Sequence, residues 1–164
     1  MPGHAHYHFL TTWLVAAPVE RVWDVIYAIE RWPEWWRGVK SVTELQHGDG
    51  DGDGEGTVYR HVWRSRIPYA VRFDSTVEEV RQPHLILARA EGELAGTGTF
   101  RLFESPLGTA VTYDWRVHTT KRWMNAVAPI ARPVFAWNHH AVMNQGGRGL
   151  ARMLGVELVA QSSS

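Results

Sequence analysis

The chain contains no cysteine and very little lysine. Because Cys is absent from all 164 residues, disulfides, a thiol nucleophile and Cys-ligated zinc are excluded. Lys40 and Lys121 are the two lysines, and the remaining fifteen basic residues are arginines scattered along the chain without a cluster. The formal net charge is zero. Without a basic face, the chain is not expected to have nucleic acid as a main partner.

Long apolar runs, targeting signals and several enzyme signatures are also missing. No apolar run approaches the ~18–20 residues that a membrane-spanning helix needs, and the first eight residues do not resemble a secretory signal. There is no Gly-x-Ser-x-Gly elbow, no phosphate-binding Gly-rich loop and no dinucleotide-binding glycine motif. We therefore expect a soluble cytoplasmic protein without a membrane span and without a cofactor.

Tryptophan is abundant instead. Nine Trp occur in a chain whose 45% hydrophobic and 21% charged residues are typical of a globular protein. An indole ring is large and carries an N–H that needs a partner, so it suits a ligand-lining surface as well as a core. The length predicts one domain over residues 1–164, with flexible tails at 1–6 and 156–164.

Hydrophobic periodicity predicts an α+β domain with its helices on one side of an antiparallel sheet. A strand at 7–15 precedes Pro18 and a short helix at 19–26, and Pro33 starts a second short helix that ends at Arg37. About six further strands are predicted at 39–45, 57–66, 69–81, 85–91, 98–103 and 109–118, and a long helix at 123–154. About seven strands in all must twist and curl, so the final helix on the concave face leaves a space beneath it.

Several motifs in this pattern resemble those of a known superfamily. They are Ala17-Pro18-x-x-x-Val22-Trp23-x-x-Ile26, Pro33-Glu34-Trp35-Trp36-x-Gly38-Val39, Gly96-Thr97-Gly98, Val111-Thr112-Tyr113-Asp114-Trp115 and Trp137-Asn138-His139. From Tyr7 to Leu154 the chain resembles the helix-grip (SRPBCC) superfamily of START lipid-transfer, pollen-allergen-like and polyketide cyclase/dehydrase-like proteins. The resemblance implies a helix-grip fold and a central cavity that binds, carries, cyclises or hydrolyses a hydrophobic molecule.

Alternation along the strands indicates which side chains line this cavity. Tyr113 and Trp115 share the apolar face of one strand, and Tyr69 and Phe73 share that of another. Both faces of the segment 59–63 carry large residues, so its orientation stays open; we predict that Tyr59, His61 and Trp63 face inward. With Trp13 from the first strand, the predicted ligand-binding residues from the sheet are Trp13, Trp63, Tyr69, Phe73, Tyr113 and Trp115.

The long helix is predicted to face the sheet with an apolar stripe interrupted by two amides. At 100° per residue the stripe comprises Val127, Ala131, Val134, Asn138, Ala141 and Gln145, with Ile130 and Trp137 at its edge. A buried amide must pair with protein or with a ligand, and the sequence leaves both alternatives open. The predicted ligand-binding residues of the helix are Val134, Trp137, Asn138 and Ala141.

Two segments carry side chains that can bind metal ions, but no metal is expected at either. His4, His6 and His8 alternate on the first strand in a pattern that can bind zinc, but no further ligand is near in sequence. The run 48–56 opens like a calcium-binding loop, yet Arg60 stands where that loop needs a bidentate Glu. His139 is interpreted as a satisfied packing residue, and Glu93 as a solvated charge near the cavity mouth.

Three functions remain compatible with the sequence. The leading hypothesis is the binding of a hydrophobic, aromatic or polycyclic small molecule by a monomer or homodimer. The second is an enzyme of the polyketide cyclase/aromatase type, whose candidate catalytic residues are Tyr113, Asn138 and His61. The third is a module that binds a protein partner.

Overall fold

The computed structural model describes residues 4–48 and 54–164, and these residues form one antiparallel sheet with helices on its concave side. The elements in chain order are β1 (His6–Val15), α1 (Val19–Tyr27), a 3₁₀ helix (Ile29–Glu34), β2 (Val39–Gln46), β3 (Val58–Trp63), β4 (Val71–Arg81), β5 (Leu85–Gly92), β6 (Leu94–Ser105), β7 (Gly108–Thr119), α2 (Arg122–Leu154) and β8 (Leu158–Ser163).

The sheet has eight strands in the order β2-β3-β4-β5-β6-β7-β1-β8. The predicted α+β helix-grip fold is confirmed, although the predicted number of strands was one too few. The additional strand is β8, which pairs antiparallel with β1 and places Gln161 opposite Trp13. The prediction of a flexible tail at 156–164 was therefore wrong, because the exposed edge of β1 offers backbone hydrogen-bonding groups that this segment satisfies.

Two predicted boundaries differ from the structure for local reasons. The second short helix spans Ile29–Glu34 and not 33–37, because Ile29 and Trp32 lie three residues apart and a 3₁₀ turn buries both on one side. The predicted break at 92–96 is reduced to Glu93, because Gly92 has a φ of 126° and turns the chain directly from β5 into β6.

The C-terminal half of α2 packs directly on a tryptophan cluster at one end of the sheet. The indole N–H of Trp13 donates to the carbonyl of Met143 (3.0 Å), and that of Trp36 donates to the carbonyl of Val142 (2.8 Å). A Cβ at Gly146 would lie 2.6–2.7 Å from the rings of Trp13 and Trp36. The predicted weakness of this glycine-rich stretch is therefore explained by close approach of the helix to the cluster.

This contact predicts the sign of a substitution. At an exposed helical site, Gly→Ala stabilises by about 1 kcal/mol. Gly146→Ala is expected to destabilise the protein instead, by about 1–3 kcal/mol, because the two indole rings must move. Urea denaturation measures the difference, with Arg148→Ala, on the exposed side of the same helix, as the control. A more stable Gly146→Ala variant would contradict the close contact.

Candidate functional site

A cavity of about 130 Å³ lies between the N-terminal half of α2 and the concave face of the sheet. Its walls are predominantly apolar and aromatic. The strands and the β3–β4 loop contribute Tyr7, Phe9, Trp63, Arg64, Ser65, Ile67, Tyr69, Val71, Phe73, Leu94, Tyr113, Trp115, Val117 and Thr119, and α2 contributes Met124, Phe135, Asn138, His139, Val142 and Met143.

The cavity exists because the two halves of α2 differ in side-chain size. The C-terminal half presents glycines to the sheet and packs closely, whereas the N-terminal half presents Met124, Phe135 and His139 to the cavity. Pro129 and Pro133 lie inside the N-terminal half. Each proline removes one intrahelical hydrogen bond and lets a helix bend. The N-terminal half of α2 therefore closes the cavity with bulky side chains. The C-terminal half is held against the sheet by its contact with the tryptophan cluster.

Tyr113 and Trp115 lie side by side on the cavity wall, as the alternation of β7 predicts. Their rings stack at a centroid distance of 5.7 Å, and Tyr113 also stacks on Phe100 at 4.2 Å. Gly98 leaves room for them, since a Cβ there would lie 2.9 Å from the hydroxyl of Tyr113. Burial raises the pKa of Tyr113 far above its usual range. The phenol is therefore a neutral hydrogen-bonding group and not a base.

His61 is buried behind the cavity wall, and both of its ring nitrogens are occupied. The indole N–H of Trp63 donates to Nδ1 (3.3 Å), so the proton is on Nε2, which donates to the hydroxyl of Ser75 (2.8 Å). The ring stacks on Phe73 at 4.8 Å. Burial lowers the pKa of His61 to about 4. His61 therefore stabilises the wall and presents no free nitrogen to the cavity.

Trp63 and Tyr59 pack against the core on the same side as His61, as predicted for β3. Of the sheet residues predicted to bind ligand, Trp63, Tyr69, Phe73, Tyr113 and Trp115 line the cavity. Trp13 does not: it is 1% exposed and lies under the glycines of α2. Trp13 lies opposite Gln161 of β8 and donates a hydrogen bond to the carbonyl of Met143 in α2. It therefore belongs to the tryptophan cluster that holds the helix on the sheet.

The predicted inward face of α2 was wrong. Val127, Val134 and Trp137 are exposed, and neither Val134 nor Trp137 nor Ala141 lines the cavity. The helix is apolar on two sides, so periodicity alone did not identify the buried one. Asn138 lies at the cavity edge, where its Oδ1 accepts hydrogen bonds from the backbone N–H groups of Arg66 (3.1 Å) and Ile67 (3.4 Å). The amide thus joins α2 to the β3–β4 loop.

One part of the cavity wall was not predicted from the sequence. It consists of Tyr7, Phe9 and His139. The ring of His139 stacks on Phe9 at a centroid distance of 4.0 Å. Burial, assisted by the neighbouring His140, lowers the pKa of His139 to about 3, so the ring is neutral. Both nitrogens of His139 and the hydroxyl of Tyr7 are buried without a hydrogen-bond partner among the described residues. His139 packs against Phe9 as expected, but neither of its ring nitrogens makes a hydrogen bond to a described residue.

An ion pair at the cavity rim was also not predicted from the sequence. Glu93 Oε1 lies 2.7 Å from Lys121 Nζ and accepts a hydrogen bond from the hydroxyl of Tyr69 (3.1 Å), and Oε2 accepts one from the backbone of Arg72. Burial opposes ionisation of this carboxyl, but these hydrogen bonds outweigh it and hold the pKa of Glu93 below its usual value. The prediction of a solvated charge at Glu93 is wrong: its side chain is only 15% exposed, because the β5–β6 turn points it at Lys121.

The sheet also brings His118 beside His4 and His6, at ring centroid distances of 5.0 and 5.4 Å. Across residues 4–48 and 54–164, however, no three potential ligands are placed to hold a metal ion. The calcium-like motif includes Asp49, Asp51 and Asp53, which lie outside the described residues. Among the described helices, none combines the length and apolarity that crossing a membrane requires.

The buried neutral state of His61 predicts a pH dependence of stability. In the unfolded chain a His binds a proton near pH 6.5, whereas the folded protein resists protonation of His61 until about pH 4. Stability is therefore lost as the pH falls from about 6.5 to 4, by up to about 3 kcal/mol. The variant His61→Gln should lose less stability over this window in urea titrations, and the exposed control His47→Gln should follow the parent. Parallel curves for all three proteins would refute the assignment.

The chain matches the family model described as "Polyketide cyclase / dehydrase and lipid transport" over residues 7–154. No curated protein is similar enough in sequence to match.

Solved structures similar to this chain include the aromatase/cyclase Zhui from Streptomyces sp. R1128, at 16% identity and a TM-score of 0.63 over 93% of this chain and 96% of that one. A conserved protein from Geobacillus kaustophilus has 13% identity and a TM-score of 0.69 over 96% and 99% of the two chains. The di-domain ARO/CYC StfQ of the steffimycin pathway has 15% identity and a TM-score of 0.62 over 92% of this chain.

The chain spans only about half of such di-domain proteins, 52% of StfQ and 50% of BexL. At these identities the structural likeness concerns the fold alone. The family model, in contrast, covers nearly the whole of the described domain. The chain therefore belongs to the polyketide cyclase/dehydrase and lipid transport family.

Proposed function

We propose that this chain binds a hydrophobic aromatic small molecule in the cavity between the sheet and α2. One observation carries the proposal: in a predominantly apolar and aromatic wall, the hydroxyls of Tyr7 and Ser65 and both ring nitrogens of His139 are buried without hydrogen-bond partners among the described residues. An unpaired buried polar group costs about 1–3 kcal/mol. A ligand that hydrogen-bonds to these atoms, once their side chains turn toward the cavity, removes that cost when it binds.

The size of the cavity limits the ligand. Drug-sized ligands occupy pockets of about 300–1,000 Å³, whereas a dry apolar cavity of about 150 Å³ accepts benzene. At about 130 Å³, the cavity admits a single aromatic ring with the helix in its present position. A polycyclic ligand requires outward movement of the N-terminal half of α2, the half that contains Pro129 and Pro133.

The unpaired groups also specify the ligand's polar substituents. Neutral His139 has one donor and one acceptor nitrogen, and the hydroxyl of Tyr7 can donate or accept. The charges of Glu93 and Lys121 are at the rim and neutralise each other. Since the other charged residue of the lining is the cation Arg64, a phenol or an aromatic ketone fits the cavity better than an ammonium group.

Binding is testable by quenching of tryptophan fluorescence with acetophenone, a single-ring aromatic ketone. Saturable quenching is expected, because Trp63 and Trp115 lie in the cavity wall. Trp63→Phe should remove a large part of the quenching, whereas Trp23→Phe should not, since Trp23 stacks on Tyr27 away from the cavity. A linear, unsaturable titration of the parent protein by acetophenone and by 4-ethylphenol alike would reject the proposal.

Cyclisation of a reactive chain in the same cavity is the second candidate function. It is favoured by the aromatase/cyclase neighbours and by Tyr113, whose side chain lines the cavity. The neutral phenol can donate a hydrogen bond to a substrate carbonyl and stabilise negative charge on its oxygen. His139, with a pKa of about 3, is a weak base. The wall therefore suits orientation and polarisation of a substrate more than proton abstraction.

A conservative substitution separates the two functions. If the cavity is catalytic, Tyr113→Phe should slow the cyclisation of a soluble aryl poly-β-ketone by about 10²-fold while its dissociation constant stays within about threefold. Tyr59→Phe is the control, because Tyr59 packs against the core outside the cavity. Cyclisation by Tyr113→Phe at the parent's rate would remove Tyr113 from the reaction, whereas no catalysis by the parent would leave binding as the supported function.

A further inference from the structure

Five large apolar side chains form a straight line on the outer face of α2. We call this line the outer stripe; its members are Trp123, Val127, Ile130, Val134 and Trp137. Their spacing of four, three, four and three residues keeps them on one side of the helix. Ile130 is 87% exposed and Trp137 51% exposed, and the other three are each more than a third exposed.

The outer stripe is not the rim of the cavity but an independent surface. The same half of α2 presents Met124, Phe135 and His139 to the cavity on its other side. Arg66 and Tyr69 contact the tryptophans at its two ends, and its middle, at Ile130, is largely open. Together its side chains expose roughly 500 Å² of apolar surface, the size of patch that in soluble proteins marks an interaction site.

The charges around the outer stripe favour an anionic partner. From residue 119 to residue 154 the chain contains Lys and Arg but no Asp or Glu, and the β3–β4 loop (64–70) contains Arg64 and Arg66 but no acid. The guanidinium of Arg66 lies 5.3 Å from the ring of Trp137. The nearby carboxyl of Glu93 is already paired with Lys121. Self-association through the stripe would bring these like charges together, so a second copy is disfavoured.

The ends of the outer stripe favour a lipid surface over an acidic protein. Trp123 and Trp137 are separated by fourteen residues, or about 21 Å along the helix. Indole rings prefer the boundary between lipid headgroups and acyl chains, and a helix with Trp and aliphatic residues on one face and basic residues beside them lies flat in that boundary. Ile130, midway between the two tryptophans, is the most exposed of the five.

We propose that the outer stripe docks α2 flat on an anionic lipid surface. Docking does not require a ligand in the cavity. It places the cavity rim near the lipid, because the ring of Tyr69 lies 5.3 Å from that of Trp123 in an edge-to-face contact. A hydrophobic molecule dissolved in the membrane would then reach the cavity without crossing water.

Vesicle flotation with the unliganded full chain tests the docking. We expect binding to phosphatidylcholine vesicles that contain about one-third phosphatidylglycerol, and weak binding to pure phosphatidylcholine. The double variant Ile130→Ser/Val134→Ser should lower the partition coefficient at least about tenfold. Arg66→Gln should lower it about fivefold on anionic vesicles only. All three residues are at the surface or near it, so circular dichroism should show an intact fold.

The matched control removes two similarly exposed apolar side chains that lie outside α2. Phe103 and Leu107 are 51% and 63% exposed on β6 and in the turn that follows it. Phe103→Ser/Leu107→Ser should leave vesicle binding unchanged within about twofold. No binding of the parent to anionic vesicles, or equal loss in both double variants, would overturn the proposal. It would also be overturned if sedimentation showed a dimer that Ile130→Ser/Val134→Ser dissociates, because the occupant would then be a second copy.

Discussion

The close packing of the glycine-rich part of α2 on Trp13 and Trp36 is the contact on which the rest of the site depends. Two indole N–H groups donate to carbonyls of adjacent helical residues, and Gly146 leaves space for both rings. A helix held at one end by backbone carbonyls has little freedom to slide or rotate. The residues one and two turns earlier, Val142 and His139, are therefore directed at the concave face, and the cavity begins where the glycines end.

Burial keeps three titratable side chains in and behind the cavity wall uncharged. Tyr113, His61 and His139 are each held in the neutral form by desolvation. Full charges occur in the rim pair of Glu93 and Lys121 and on the exposed Arg64 of the β3–β4 loop. An interior of neutral hydrogen-bonding groups among aromatic rings is compatible with the aromatic ligand that we propose. Strong acid–base chemistry would need a charge that the described interior does not hold.

The sequence patterns predicted the sheet well because alternation is a local property. Tyr113 and Trp115 share a face whenever their segment is a strand, whatever pairs with it. The same logic failed for α2, where Val134 and Trp137 form as regular a stripe as Phe135, His139 and Val142. Which stripe is buried depends on the glycines that dock the helix, many residues away from the stripe itself. The choice between two apolar faces is therefore a tertiary one.

The fold class, the order of most elements and the aromatic face of the sheet follow from the amino-acid sequence alone. Each of these follows from periodicity, turn residues and family motifs within a short window of chain. The tertiary structure decided which side of α2 closes the cavity, paired Glu93 with Lys121 across the rim and left His139 and Tyr7 unpaired at the wall. These outcomes depend on contacts between residues up to about 130 positions apart, such as Tyr7 and Phe135, which no local pattern encodes.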